Sequence, residues 1–150
     1  MPIAQVLEVS PENTGQAYSA FRALRGEHGV MASREGFAAW VNEKQRPEGY
    51  RIVAAFLPGI PDAVAAAGFR AHHMLSRGFM LYVDDLVCLP EHRAQGHAGR
   101  IFDWLMEEAR RLGCQRLHLD SGHQRHDAHR FYLNHGMTIS AHHFSMALEQ

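Results

Sequence analysis

Between Phe79 and Asp120 the order of elements leaves few folds open. Phe79 to Leu89 is dense in Leu, Val and Phe and reads as a strand. A loop with two glycines, Gly96 and Gly99, follows. Then comes a helix in which Ile101, Leu105, Ala109 and Leu112 share one face, while Trp104, Glu108 and Arg111 turn towards the other. Gly113 fits the position just past the last helical turn, and Arg116 to Asp120 alternates as a second strand. Strand, helix and strand in this order make a right-handed crossover whose strands run parallel. In such a unit a ligand is expected at the C-terminal end of the first strand.

The flanking segments extend the sheet. Ile3 to Val9 reads as a strand, and Ser10-Pro11-Glu12 offers an N-cap with proline at the first helical position. Ala17, Phe21 and Leu24 recur at helical spacing, and a second helix runs from Ser33 through Phe37 and Trp40 to Val41, stopping before Pro47. Tyr50 to Leu57 is rich in β-formers and is cut by Pro58-Gly59-Ile60-Pro61. Ala63 to Leu75 forms the next strand, turning through Ser76-Arg77-Gly78 into Phe79 to Leu89, so these consecutive strands should be antiparallel. Towards the end, Asp127 to His135 predicts a short helix closed by Gly136, and Phe144 to Leu148 alternates as a last strand. The fold class is α/β, a mixed α+β sheet flanked by helices.

Composition narrows the function. With 150 residues, 46% hydrophobic and 21% charged, the expectation is a single domain over 1–150 with a real core. No repeat or long linker divides it. Fifteen Lys and Arg against 16 Asp and Glu leave a formal charge of −1, which gives no basic field for nucleic acid. No apolar run approaches the roughly 20 residues that span a bilayer, so no membrane partner is expected. The first residues, Met1-Pro2-Ile3-Ala4-Gln5, show no secretory pattern, and Cys88 and Cys114 form no disulfide framework. The reading is a cytoplasmic protein with two free thiols.

The loop of the crossover, Arg93-Ala94-Gln95-Gly96-His97-Ala98-Gly99-Arg100, is where chemistry enters. Small residues expose backbone amides, and a loop leading into a helix N-terminus presents unpaired N–H groups and the positive end of the helix dipole. Both favour phosphate oxygens, and Arg93 and Arg100 add charge. The alternative is that the glycines only relieve a tight turn. The pattern is neither a Walker A loop nor the dinucleotide fingerprint G-x-G-x-x-G.

Arg93-x-x-Gly96-x-Ala98 resembles motif A of the GCN5-related N-acetyltransferases, the GNAT superfamily, which reads R/Q-x-x-G-x-G/A after a strand. Downstream, Ala128-His129-Arg130-Phe131-Tyr132-Leu133-Asn134-His135-Gly136-Met137 resembles a second family motif, A-x-x-F/L-Y-x-x-x-G-F/M. The resemblance is close from about Tyr82 to Met137 and looser over the rest. It implies a mostly antiparallel sheet in which a bulged fourth strand splays from a parallel fifth, with acyl-CoA lying in the gap. Leu86, Val87 and Cys88 would pair with the pantetheine arm, one of their amides serving as oxyanion donor. The amides of Ala94, Gln95, Gly96, His97, Ala98 and Gly99 would cradle the pyrophosphate. Tyr132 would donate a proton to the departing thiolate. Many family members carry asparagine as a cofactor contact where Arg125 stands here; arginine could reach a phosphate instead.

The implied reaction moves an acetyl group from acetyl-CoA directly to a primary amine in a ternary complex. A lysine-like amine with a pKa of about 10.4 must lose a proton first. Asp84 and Asp85 resemble the acidic pair on this strand in polyamine acetyltransferases, and either is a candidate base or proton relay. Adjacent strand residues alternate faces, so only one of them should face the acceptor. The acceptor, a small amine or a protein amine, is not legible. His123-x-x-His126-x-x-His129 has no partner at zinc spacing, so no metal is expected, and one histidine each of His72-His73 and His142-His143 could line the acceptor cleft. Cys88 lacks an activating histidine set, which favours direct transfer over an acyl-cysteine. The competing class is an acyl-CoA-binding sensor without catalysis. Homodimers are common in the family and stay open here.

Overall fold

The computed structural model describes residues 2–149, which divide into two compact units meeting between His118 and Leu119. Five strands form a sheet in the order β1 to β5: β1 Gln5–Val9, β2 Arg51–Phe56, β3 Ala65–Met74, β4 Gly78–Cys88 and β5 Arg116–Leu119. Strands β1 to β4 are antiparallel in sequence order, and β5 returns parallel to β4 through helix α3, His97–Leu112. Apart from the first helix and the last expected strand, the expected elements are present with their ends shifted by a residue or two, as helix and strand ends usually are.

In the first unit, the two faces of the sheet are covered by different helices. Ile52, Ala54, Ala66 and Val87 pack with Tyr18 and Phe21 of α1, Tyr18–Arg25, and Phe37 of α2, Arg34–Trp40. Alternate residues point the other way, where Phe69 meets Trp104 of α3 with ring centroids 5.7 Å apart. The run of alanines in β2 and β3, fully buried at Ala54, Ala55, Ala65, Ala66 and Ala67, leaves room for helices on both faces.

One helix start differs from the sequence reading and one agrees with it. Ser10 does not cap a backbone amide, and the segment Pro11–Ala17 winds as a tight 3₁₀ helix before α1 begins. Ser33 does cap α2, its hydroxyl accepting from the Gly36 amide at 3.0 Å. Past α2 the chain widens through a π turn, Val41–Gln45, and a further turn, Arg46–Glu48, absorbs Pro47 within its first residues, where the missing N–H costs nothing.

The second unit holds α4, His126–Asn134. The strand expected at Phe144 to Leu148 is not formed. Its alternate residues Phe144, Met146 and Leu148 are 92%, 85% and 82% exposed, because alternation makes a strand only where a neighbouring edge accepts its hydrogen bonds and buries one face.

α3 is tied to the sheet by charge as well as by packing. Glu108 is buried and accepts from Arg111 at 2.6 Å on its own helix and from Arg51 of β2 at 2.6 Å, while Arg51 also grips Glu8 of β1. The Arg111 and Arg51 guanidiniums hold the Glu108 carboxyl down at about 2. A depressed carboxyl contributes stability above its unfolded pKa of about 4.5 and loses it as pH falls towards 2. Glu108→Gln should therefore lower Tm at pH 7 by about 5 °C. It should also flatten the acid decline between about pH 5 and 2, as thermal melts across that range will read.

Candidate active site

The site is built around an irregularity in β4. Gly68 pairs with Asp85 and Phe69 with Val83, so Asp84 is an extra residue with no partner on β3. Such a bulge bends a strand and interrupts its alternation. Ile52, Gly68 and Asp85 lie in one row across β2 to β4 on the face covered by α1, Tyr50 stands two residues before Ile52 on the same face, and Asp84 is held with them by Arg25 and Arg70. The simple pleat would have separated the two carboxylates; the bulge brings them into one network.

Each carboxylate has a cation. Arg70 of β3 donates to Asp84 through Nε at 3.2 Å and Nη2 at 2.8 Å. Arg25 of α1 donates to Asp85 Oδ1 at 2.8 Å and to the Asp84 carbonyl at 2.9 Å, which satisfies backbone that the bulge leaves unpaired. The Tyr50 hydroxyl donates to Asp85 Oδ2 at 2.7 Å, and the Arg70 guanidinium lies 5.4 Å from the Tyr50 ring centroid. Burial raises the Asp84 carboxyl above its ordinary range, with the Arg70 guanidinium working against it and the Asp85 charge adding to it. Burial, reinforced by the neighbouring Asp85, holds the Tyr50 phenol well above its usual value, so Tyr50 is a fixed donor.

Beyond the bulge, Leu86, Val87 and Cys88 pair with Ala67, Ala66 and Ala65 on the β3 side. On the other side, β5 enters where the Gln115 amide donates to the Phe79 carbonyl at 2.8 Å and runs for only 4 residues, against 11 in β4. A parallel neighbour of that length pairs along only part of β4. Burial raises the Cys88 thiol, and its sulfur bonds to the His92 carbonyl at 3.4 Å. It is a poor nucleophile in this setting.

The loop after β4 has the geometry of an anion cradle. Ala94 has φ +61° and Gly96 has φ +84°, and residues alternating through the left-handed region turn successive amides inward. Ala94 is the only described non-glycine residue with positive φ, an uncommon conformation for a residue with a Cβ. Gly96 sits at the start of α3 and has no side chain to cap the first amides. Arg100 Nη1 and His97 Nδ1 are buried without hydrogen-bond partners, while His97 Nε2 contacts Gln95 at 3.2 Å. Burial, with His92 and Arg100 nearby, lowers the His97 pKa. The orphaned Arg100 donor beside uncapped amides fits a phosphate group. Arg93 instead reaches back to the Cys88 carbonyl at 3.4 Å.

Tyr132 lies in the second unit, 9% exposed on α4. Burial raises its phenol, and the Arg125 guanidinium, within hydrogen-bonding reach of its hydroxyl, pulls the other way. Arg125 is thus engaged with Tyr132. His72 and His73 pair with Met80 and Phe79 at the far end of β3, away from the bulge. His143 contacts Asp120 at 3.0 Å outside any strand. Among the described residues no three His, Cys, Asp or Glu side chains gather as metal ligands.

A cavity of about 500 Å³ opens between α1 and the ends of β3 and β4, bordered by Ser19, Arg22, Asp62, Val64, Leu89 and His92. Sequence reasoning left Tyr50, Gly68, Arg25 and Arg70 outside the site. A glycine inside an apolar strand was the available sign, since it marks close approach of another group.

Strand, cradle and helix in this arrangement define an acyl-CoA-dependent N-acetyltransferase. The model of the Acetyltransferase (GNAT) family matches residues 17–137, and the chain belongs to that family. It is 30% identical over 149 residues to an aminoalkylphosphonate N-acetyltransferase of Salmonella typhimurium, covering 99% of this chain and 94% of the relative. It is 29% identical over 136 residues to the uncharacterized N-acetyltransferase YhdJ of Bacillus subtilis, covering 90% and 92% of the two chains. AAC(6')-Iy, solved with the bisubstrate analogue CoA-S-monomethyl-acetylneamine, superposes with a TM-score of 0.79 at 11% identity, over 98% of this chain and 99% of that one. Among the described residues no helix is long and apolar enough to cross a membrane.

Gly96 is the position where backbone conformation is most exposed to test. No β-branched residue adopts φ +84° without strain. Gly96→Val should weaken acetyl-CoA binding at least tenfold by calorimetry, about 1.4 kcal/mol, while leaving the far end of the sheet folded. An unchanged Kd would remove the loop from the cofactor site.

Proposed function

We propose that this enzyme, acting as one domain over 1–150, acetylates the primary amine of a small molecule in a ternary complex, and that the acceptor carries an anionic group of the aminoalkylphosphonate kind. The observation that carries the acceptor reading is charge balance at the bulge. Asp84 and Asp85 are each paired with an arginine, so the acidic pair presents no net negative field for a polycation such as a polyamine. The cavity beside α1 is of a size for a small ligand, and the relative acting on aminoalkylphosphonates is similar over 94% of its length.

Acetyl-CoA supplies the acyl carbon as a thioester whose leaving group is a thiolate. In our reading the Leu86 to Cys88 backbone pairs with the pantetheine arm, and an amide there stabilises negative charge developing on the thioester oxygen. The Ala94 to Gly99 amides and Arg100 hold the pyrophosphate. The amine nitrogen forms its bond to the acyl carbon as the carbon–sulfur bond breaks, and its proton leaves towards Asp84 or Asp85, directly or through water. Asp84, with its raised pKa, is suited to accept it. Tyr132 gives its proton to the departing sulfur, a role it holds by its place in the second motif; burial keeps it protonated at neutral pH. Arg125, beside the Tyr132 hydroxyl, favours that transfer by stabilising the phenolate left behind. Cys88 takes no covalent part.

The test is thiol release from acetyl-CoA across a panel containing a short aminoalkylphosphonate, its uncharged amine counterpart, spermidine and a lysine peptide, with products identified by mass. The phosphonate should give the highest kcat/KM, at least tenfold above the uncharged amine. Release with spermidine or the peptide as the best acceptor would overturn the acceptor reading, and binding of acetyl-CoA without release from any amine would favour a sensor. Tyr132→Phe should lower kcat about a hundredfold with acetyl-CoA affinity held, and equal turnover would remove Tyr132 from the acid role.

A further inference from the structure

Tyr50 and Gly68 form a close-packed pair that the reaction as described does not use. A Cβ built on Gly68 would fall 1.6 Å from the Tyr50 hydroxyl oxygen and 2.2 Å from Cζ, so the tyrosine tip occupies the place of a side chain at 68. Gly68 is also the β3 residue opposite Asp85, at the step where the register shifts. The tip of Tyr50, 3% exposed, is thereby seated over the bulge with its hydroxyl on Asp85 Oδ2 at 2.7 Å. Arg25 comes from α1 to the other oxygen, Asp85 Oδ1, and to the Asp84 carbonyl. Arg70 covers the Tyr50 ring and holds Asp84.

Three separate segments therefore converge on two adjacent carboxylates, with both oxygens of each engaged. A buried hydrogen bond to a carboxylate fixes its orientation, and one lost leaves an acceptor oxygen unsatisfied. The bulge carbonyl is held by the same set of contacts, and two residues further on begins the Leu86 to Cys88 edge. Movement of Asp85 would be felt both at the acceptor's proton path and in the direction of that edge.

We propose that Tyr50 is a positioning residue for acetyl transfer: seated over Gly68, it works with Arg25 to fix the Asp85 carboxylate and so the bulge on which acceptor and thioester meet. Tyr50 touches neither substrate and acts through Asp85. The proposal rests on the transferase reading above, whose own test is the wild-type rate.

Steady-state kinetics of the full-length Tyr50→Phe variant, with acetyl-CoA and the best acceptor of the panel, tests it, alongside Asp85→Asn and the double variant. Loss of one charge-assisted hydrogen bond should lower kcat about ten- to a hundredfold, with the calorimetric Kd for acetyl-CoA within about twofold of wild type. Because Tyr50 acts through Asp85, Tyr50→Phe should cost little more once the Asp85→Asn change is in place, a non-additivity that a general loss of stability would not produce. Gly68→Ala, which expels the ring, should reproduce the kcat loss in whatever fraction folds. Wild-type kcat in Tyr50→Phe, or an equal loss with and without the Asp85→Asn change, overturns the proposal. Neither result touches the transferase reading, which fails only if the wild-type protein releases no thiol.

Discussion

One unpaired residue in one strand organises the functional half of this molecule. Asp84 has no partner opposite the Gly68 to Phe69 step, and an unpaired residue of this kind bends its strand. In the proposed reading, the edge of backbone beyond it, Leu86 to Cys88, is left by the sheet for the acyl-CoA arm. An unused edge is ordinarily a liability for aggregation. Here it leads directly to the loop around Ala94 and Gly96, whose left-handed residues turn amides inward at the start of α3. In the proposed reading, an extended chain ending in a phosphate group lies along these surfaces.

The bulge is stable because its polar groups are satisfied from the face that α1 covers. Arg25, Tyr50 and Arg70 come from three separate elements and cover the carboxylates and the free carbonyl between them. Partial satisfaction would cost more than an apolar site of the same shape, since buried charges without partners are strongly unfavourable. The alanines of β2 and β3 let helices approach both faces, and the Glu108 cluster fixes α3 against β1 and β2. Packing at the back of the sheet thus holds the helix whose N-terminus closes the cradle.

Much of this was legible in the sequence, and the reasons for the exceptions are physical. The crossover from β4 through α3 to β5 follows from periodicity and from glycines at both ends of the helix. The bulge does not follow from counting alternate residues, yet its trace is there: Asp84 and Asp85 stand together between buried Val83 and Leu86, where a regular strand would have placed one polar residue. Tyr50 carried no such mark, because its role comes from Gly68, distant in sequence and adjacent only through the β2 to β3 pairing. Phe144 to Leu148 has the alternation of a strand without an edge to pair with, a condition that local pattern cannot report. Arg125 departs from the family motif, and only its place beside the Tyr132 hydroxyl gives the departure a use.

The central claim is that the open β4 edge and the loop after it form one continuous surface for acyl-CoA. Backbone amide hydrogen exchange of the intact protein, with and without saturating CoA, tests it most directly. The account predicts added protection concentrated at Leu86 to Cys88 and at Ala94 to Gly99, with β1 and β2 unchanged. Protection absent from both segments while CoA is bound would contradict it.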